Sequence, residues 1–95
     1  MKEILKQLCA KNGVPGYEDE VRQCIRDMVE PYADEIIEDH LGNLLVLKKG
    51  KQPRKAPMMV CAHMDEVGFL ISRITSDGMF KIVPSGGIDP RVLVG

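Results

Sequence analysis

The sequence predicts an α/β domain in which two helices precede a set of short strands, and three observations carry that reading. Apolar residues recur at helical spacing from the N-terminus to Val29. From Glu35 onward the pattern changes to short strand-like runs punctuated by Gly, Asn and Asp. Between those runs lies Met58 to Ala62, a continuous apolar stretch of the kind that forms a buried central strand. The resulting order suggests helices layered on a mixed sheet, with the first hairpin beside the central strand.

The first helix is expected over Met1 to Asn12, with Ile4, Leu5, Leu8 and Cys9 on one face. Gly13, followed by Pro15 and Gly16, is the punctuation that stops it. A second helix runs from about Glu18 to Val29, where Val21, Cys24, Ile25, Met28 and Val29 repeat at i, i+3, i+4, i+7 and i+8. Glu18, Asp19 and Glu20 fill its first turn, where the helix dipole favours negative charge, and Pro31 ends it.

Glu35 to Asp39 and Leu44 to Lys48 read as two strands joined through Gly42 and Asn43, a hairpin signal. His40 falls in that connection and reads as a turn residue rather than a ligand. The stretch from Lys48 to Pro57 is basic and rich in helix and strand breakers, so a solvated surface loop is expected. A second hairpin is expected from Gly68 to Ile74 and Met79 to Pro84 around Asp77 and Gly78, with Phe69, Ile71, Phe80 and Ile82 in a core. Ser85-Gly86-Gly87 lacks the lysine and helix opening of a phosphate loop and reads as a bend.

Composition narrows the function classes. With 95 residues the chain forms at most one small domain, and 44% hydrophobic with 28% charged residues is ordinary for a globular protein. Lys+Arg number 13 against 14 Asp+Glu, which gives no basic excess to attract phosphates, so nucleic-acid binding is disfavoured. No apolar run approaches the ~20 residues needed to span a bilayer, and no secretory signal is expected. Cys9, Cys24 and Cys61 fit neither a Cys-x-x-Cys nor a zinc-ribbon spacing. Their apolar surroundings suggest buried free thiols in a reducing compartment, with the cytoplasm as the default.

The chemistry concentrates where the central run stops, at His63-Met64-Asp65-Glu66. Ligands in open α/β sheets bind outside the carboxyl ends of strands, which is where this polar cluster falls. In an extended chain His63 and Asp65 project to the same side. A carboxylate there can hold one ring nitrogen by a hydrogen bond and leave the other for a metal ion. The same spacing also fits a histidine closing a strand and an aspartate opening a turn.

Longer strings are more specific. Ala62-His63-Met64-Asp65-Glu66-Val67-Gly68-Phe69, followed by Gly87-x-Asp89-Pro90-Arg91-Val92-Leu93, resembles metallopeptidase family forty-two, the glutamyl, deblocking or tetrahedral (TET) aminopeptidases. Upstream, Gly13-Val14-Pro15-Gly16-Tyr17-Glu18 and Asp39-His40-Leu41-Gly42-Asn43-Leu44 resemble the opening of the same family in the same order.

The resemblance implies that residues 1–95 form the N-terminal portion of a mixed-sheet catalytic domain several times longer, reaching the junction with an inserted β domain. It implies removal of N-terminal residues from peptide substrates by two divalent ions, zinc or cobalt, in a protein that forms homo-oligomers when full length. His63 would bind one ion, and Asp65 would accept a hydrogen bond from it. Glu66 receives no proton-transfer role, and the remaining ligands would lie beyond Gly95. The isolated chain is therefore expected to be inactive. Two other readings stand beside this one: a related carboxypeptidase or deacylase, against which the Glu66-Val67-Gly68 and Asp89-Pro90-Arg91 strings argue, and a non-catalytic assembly module.

Overall fold

The computed structural model describes residues 1–52 and 56–93. Helix α1 spans Lys2–Cys9 and α2 spans Asp19–Val29, followed by a 3-10 turn at Glu30–Tyr32. Strands β1 (Glu35–Glu38) and β2 (Leu44–Leu47) pair antiparallel, as do β3 (Gly68–Ile74) and β4 (Phe80–Ser85), and a second 3-10 turn covers Pro90–Val92. The class is α/β, as the periodicity predicted.

Helix α1 ends earlier than Gly13, because Ala10 already serves as its C-cap. Helix α2 starts one residue after Glu18, and Pro31 converts its exit into the 3-10 turn rather than stopping the chain abruptly. The apolar stripe of α2 faces inward. Val21 is 6% exposed and is the only buried hydrophobic side chain among the described residues, while Cys24, Ile25, Met28 and Val29 are half-buried.

The first hairpin pairs Glu35 with Leu47 and Glu38 with Leu44. Its turn is organised by Asp39, whose carboxylate accepts from the backbone N–H of Leu41 and of Asn43, each at 2.9 Å, and from Asn43 Nδ2 at 2.8 Å. Asp39 is therefore more than an ordinary exposed acid beside a turn. The Asn43 side chain, then its backbone N–H, holds the Asp39 carboxyl below its usual pKa. The second hairpin carries a register shift between Ile71 and Arg73, the irregularity expected of a bulge.

Three expectations are corrected. Met58 to Ala62 forms no strand: residues 58–67 lie outside any ladder, and Met58, Met59 and Val60 are 78%, 80% and 88% exposed. A strand exists only by pairing, and neither hairpin pairs with this stretch. The two hairpins accordingly form separate two-stranded sheets instead of one mixed sheet. Second, Ile71, Phe80 and Ile82 are exposed and only Phe69 is half-buried, since no layer covers β3 and β4 among the described residues. Third, Cys9 and Cys61 are exposed and Cys24 is half-buried, although all three are free thiols.

The molecule is correspondingly extended. Its Cα radius of gyration is 18.0 Å, against about 12 Å for a compact chain of this length. What organises the middle of the molecule is a set of local ties. Glu66 N–H donates to the Gly13 carbonyl at 2.7 Å, binding the stretch after His63 to the loop between the helices. At Gly68 the same loop comes so close that an added Cβ would collide with Val14 Cγ1.

Candidate metal centre

His63 sits in the extended stretch between the two hairpins, steadied from the C-terminal side by the Glu66 to Gly13 bond. Its Nδ1 lies 3.0 Å from Asp65 Oδ1 and 3.0 Å from the Asp65 carbonyl oxygen. Both neighbours are acceptors only, so Nδ1 must carry the proton. In the neutral ring that leaves the lone pair on Nε2, which has no protein hydrogen-bond partner among the described residues. The His63 side chain is 85% exposed, which keeps Nε2 open to a ligand.

Three stretches distant in sequence meet beside this ring. Glu18, the turn Leu41–Asn43 and Ala62–Asp65 line one cavity of about 160 Å³. Glu18 is held there by accepting the Gly16 N–H at 2.7 Å. The turn is held by Arg22 on α2, whose Nη1 donates to the Gly42 carbonyl at 3.2 Å and whose Nε pairs with Glu38 Oε1 at 2.8 Å. Arg22 also pairs with Asp19 one helical turn back, and its side chain is 12% exposed. Gly42 adopts φ +83°, and a Cβ there would come 2.8 Å from Arg22 Nη1. Glycine answers both demands.

A larger, open hollow of about 530 Å³ lies along α2 and Lys11, lined by Lys11, Asp19, Glu20, Gln23, Cys24 and Asp27. It shares no residue with the His63 cavity and holds no histidine. The smaller cavity is the one lined by the histidine and its aspartate.

Among the described residues no group of three or more His, Cys, Asp or Glu is arranged to hold a metal ion. The donors present thus amount to one imidazole with a fixed tautomer and a carboxylate behind it. They fit one corner of a metal site, since a catalytic zinc takes three protein ligands. His40 lies exposed in the first hairpin turn, away from the cavity lining. Glu66 contributes its backbone N–H rather than its carboxylate. Near the C-terminal end, Asp89 accepts from the Arg91 side chain and caps the 3-10 turn by accepting its backbone N–H at 2.9 Å. The Arg91 side chain is the main cause of a lowered Asp89 pKa.

Sequence reasoning missed Arg22 and the part played by Glu18 and the 41–43 turn. The signal for the latter was the agreement of motif blocks, which says that stretches belong together but not that they share a wall. Arg22 gave no such signal, because an arginine on a polar helix face is commonplace.

Comparison with known proteins gives a consistent family. A family model described as M42 glutamyl aminopeptidase matches residues 42–95. The lysyl aminopeptidase of Pyrococcus furiosus is 38% identical over 93 residues, covering 97% of this chain and 26% of that protein. The structure of a TET aminopeptidase from a marine-sediment Thaumarchaeota archaeon superposes with a TM-score of 0.86 at 37% identity, covering 99% of this chain and 26% of that one. A Thermotoga maritima structure described as an endoglucanase gives a TM-score of 0.86 at 45% identity, covering 94% of this chain and 28% of that one. The chain thus spans about a quarter of the length of the proteins it matches.

Proposed function

Since the family match takes in more than half of its residues, the chain belongs to the M42 glutamyl aminopeptidase family, and we propose that it is the N-terminal part of the catalytic domain of a metal-dependent aminopeptidase. In that domain His63 binds one of two divalent ions, zinc or cobalt, through Nε2. Asp65 accepts the Nδ1 proton, fixes the ring's orientation and raises its basicity as a ligand. When bound, such an ion pair anchors the free amino end of a peptide, polarises the scissile carbonyl and lowers the pKa of a water.

The observation that carries this reading is the acceptor-only environment of Nδ1, which in the neutral ring leaves the Nε2 lone pair free, at a residue lining a cavity built from three motif blocks. Glu18 and the Arg22-held turn line the same cavity as His63 and would border a ligand bound there. The other ligands and the general base belong to sequence outside these residues, after an inserted β domain. The 95-residue chain alone therefore binds metal weakly and does not cleave peptides. The whole protein acts on peptides, assembles as a homo-oligomer and works in the cytoplasm, where free thiols such as Cys9 and Cys61 persist. Among the described residues no helix is long and apolar enough to cross a membrane.

The endoglucanase description of one relative sets a second reading, glycoside hydrolysis. A full-length M42 protein carrying this chain as its N-terminal quarter separates the two. It releases chromophore from aminoacyl-p-nitroanilides, leaves soluble β-glucan intact, and loses peptidase activity with His63→Ala. Glucan cleavage insensitive to His63→Ala would overturn the assignment.

A further inference from the structure

His63 and Asp65 belong to residues 58–67, which no strand pairing holds. A side chain on such a stretch keeps one orientation only where other contacts fix its backbone, because an unpaired backbone retains its conformational freedom. Three contacts supply that fixing just after Asp65. Glu66 N–H donates to the Gly13 carbonyl at 2.7 Å. Val67 is backed by Gly86, where a Cβ would come 2.7 Å from Val67 Cγ1. At Gly68 a Cβ would overlap Val14 Cγ1 and meet Val14 Cβ at 3.4 Å, and beyond its chain neighbours no other described residue comes within 4 Å of it.

The backbone of Gly68 does not itself call for glycine. Among the described residues the glycines at positive φ are Gly16, Gly42, Gly78 and Gly86, so position 68 has a conformation that alanine also adopts. What excludes a methyl group there is Val14. Branched at Cβ, Val14 has two of its three staggered positions filled and is stiff about χ1, so it does not swing aside freely. Its backbone continues directly from Gly13, whose carbonyl holds Glu66, and the same loop leads to Glu18 in the lining of the His63 cavity. Restoring an ordinary carbon–carbon separation of about 3.5–4.0 Å would move the loop by more than the ~0.5 Å that a preorganised site tolerates.

Resting on the reading of His63 as a metal ligand, we infer that Val14 and Gly68 are positioning residues of the metal centre. The seat of Val14 on the bare Gly68 backbone sets where the Gly13 carbonyl holds Glu66, and thereby where the His63 ring presents Nε2. Neither residue touches the ion. Both act through the bond from Glu66 to Gly13.

The test uses a full-length M42 protein carrying this chain as its N-terminal quarter, with zinc as the probe. In Gly68→Ala one zinc equivalent is expected to bind at least about 10-fold more weakly in competition with a chromophoric chelator. The visible bands of the cobalt-loaded protein shift, and the Glu66 amide exchanges about fivefold faster, the worth of one backbone hydrogen bond. Adding Val14→Ala removes the colliding carbon and returns all three readouts to the parental values. A role in stability alone would give the opposite result, since a second truncation takes away further apolar contact. Gly50→Ala, where the nearest atom to a Cβ is the Gln52 carbonyl oxygen at 3.6 Å, changes none of the three.

His63→Ala is measured alongside. Where it weakens zinc, an unchanged zinc affinity in Gly68→Ala, a loss that Val14→Ala does not restore, or weaker zinc with unaltered Glu66 exchange overturns the proposal. If Gly68→Ala does not fold, the double variant decides, and parental zinc affinity in it supports the proposal while its failure to fold overturns it. Where His63→Ala leaves zinc affinity at the parental value, the metal-ligand reading falls and Glu66 exchange alone decides. Quickened by Gly68→Ala and restored by Val14→Ala, it supports the positioning contact; unaltered, it overturns that contact too.

Discussion

Replacing Gly42 by alanine tests whether the Arg22-held turn is built as described. Gly42 adopts φ +83°, a left-handed conformation that costs an ordinary residue about 1–2 kcal/mol. The new methyl would lie 2.8 Å from Arg22 Nη1, too close to keep the 3.2 Å bond from that nitrogen to the Gly42 carbonyl. Losing that bond costs about 1 kcal/mol. The Arg22 pairs with Asp19 and Glu38 add little, because those carboxylates are 84% and 42% exposed and screened by solvent. Together the two effects come to about 2–3 kcal/mol, or about 30- to 140-fold in an opening equilibrium. Amide hydrogen exchange reads this at position 42, whose N–H donates to the Asp39 carbonyl at 3.0 Å, and at Asp39, whose N–H donates to the Asn43 carbonyl at 3.1 Å. Both should exchange faster by that factor in Gly42→Ala. A D-alanine at 42, relaxed at positive φ, should recover the backbone share. Acceleration below threefold would refute the account of the turn.

Other consequences are equally direct. Asp65→Ala removes the carboxylate behind His63 and should weaken metal binding by a full-length M42 protein carrying this chain by about 10- to 100-fold, measured by competition with a chromophoric chelator. Val21→Ala empties the one buried apolar position and should cost about 1–2 kcal/mol, read from the urea midpoint of the helical circular dichroism signal. The Asp39 pKa is lowered from 3.8 by its bonds to Asn43 and Leu41. Its support for the turn is thus present above the ordinary carboxylate pKa and lost as pH falls through the depressed folded value. The Leu41 and Asn43 amide resonances should shift together in that window, and Asp39→Asn should abolish the pH dependence.

The helices and both hairpins were legible because their signals are local. Helical spacing placed α2 within a residue, and the Gly42-Asn43 and Asp77-Gly78 steps placed the turns. The fate of Met58 to Ala62 was not legible, since an apolar run says that burial is wanted but not whether the burying surface is present. The expected core at Ile71, Phe80 and Ile82 failed for the same reason. At the site, the His63 and Asp65 spacing foretold their contact because side chains two apart on an extended chain share a side. The Arg22 clamp escaped because it joins residues 20 positions apart through a carbonyl, and no side-chain pattern records a carbonyl's partner.

The role of His63 as a ligand is tested most directly by counting metal in a full-length M42 protein whose first quarter is this chain. After dialysis against trace zinc, the account predicts two equivalents per subunit by atomic emission, falling to one in His63→Ala with the helical signal unchanged. Equal metal content in the two proteins would contradict it.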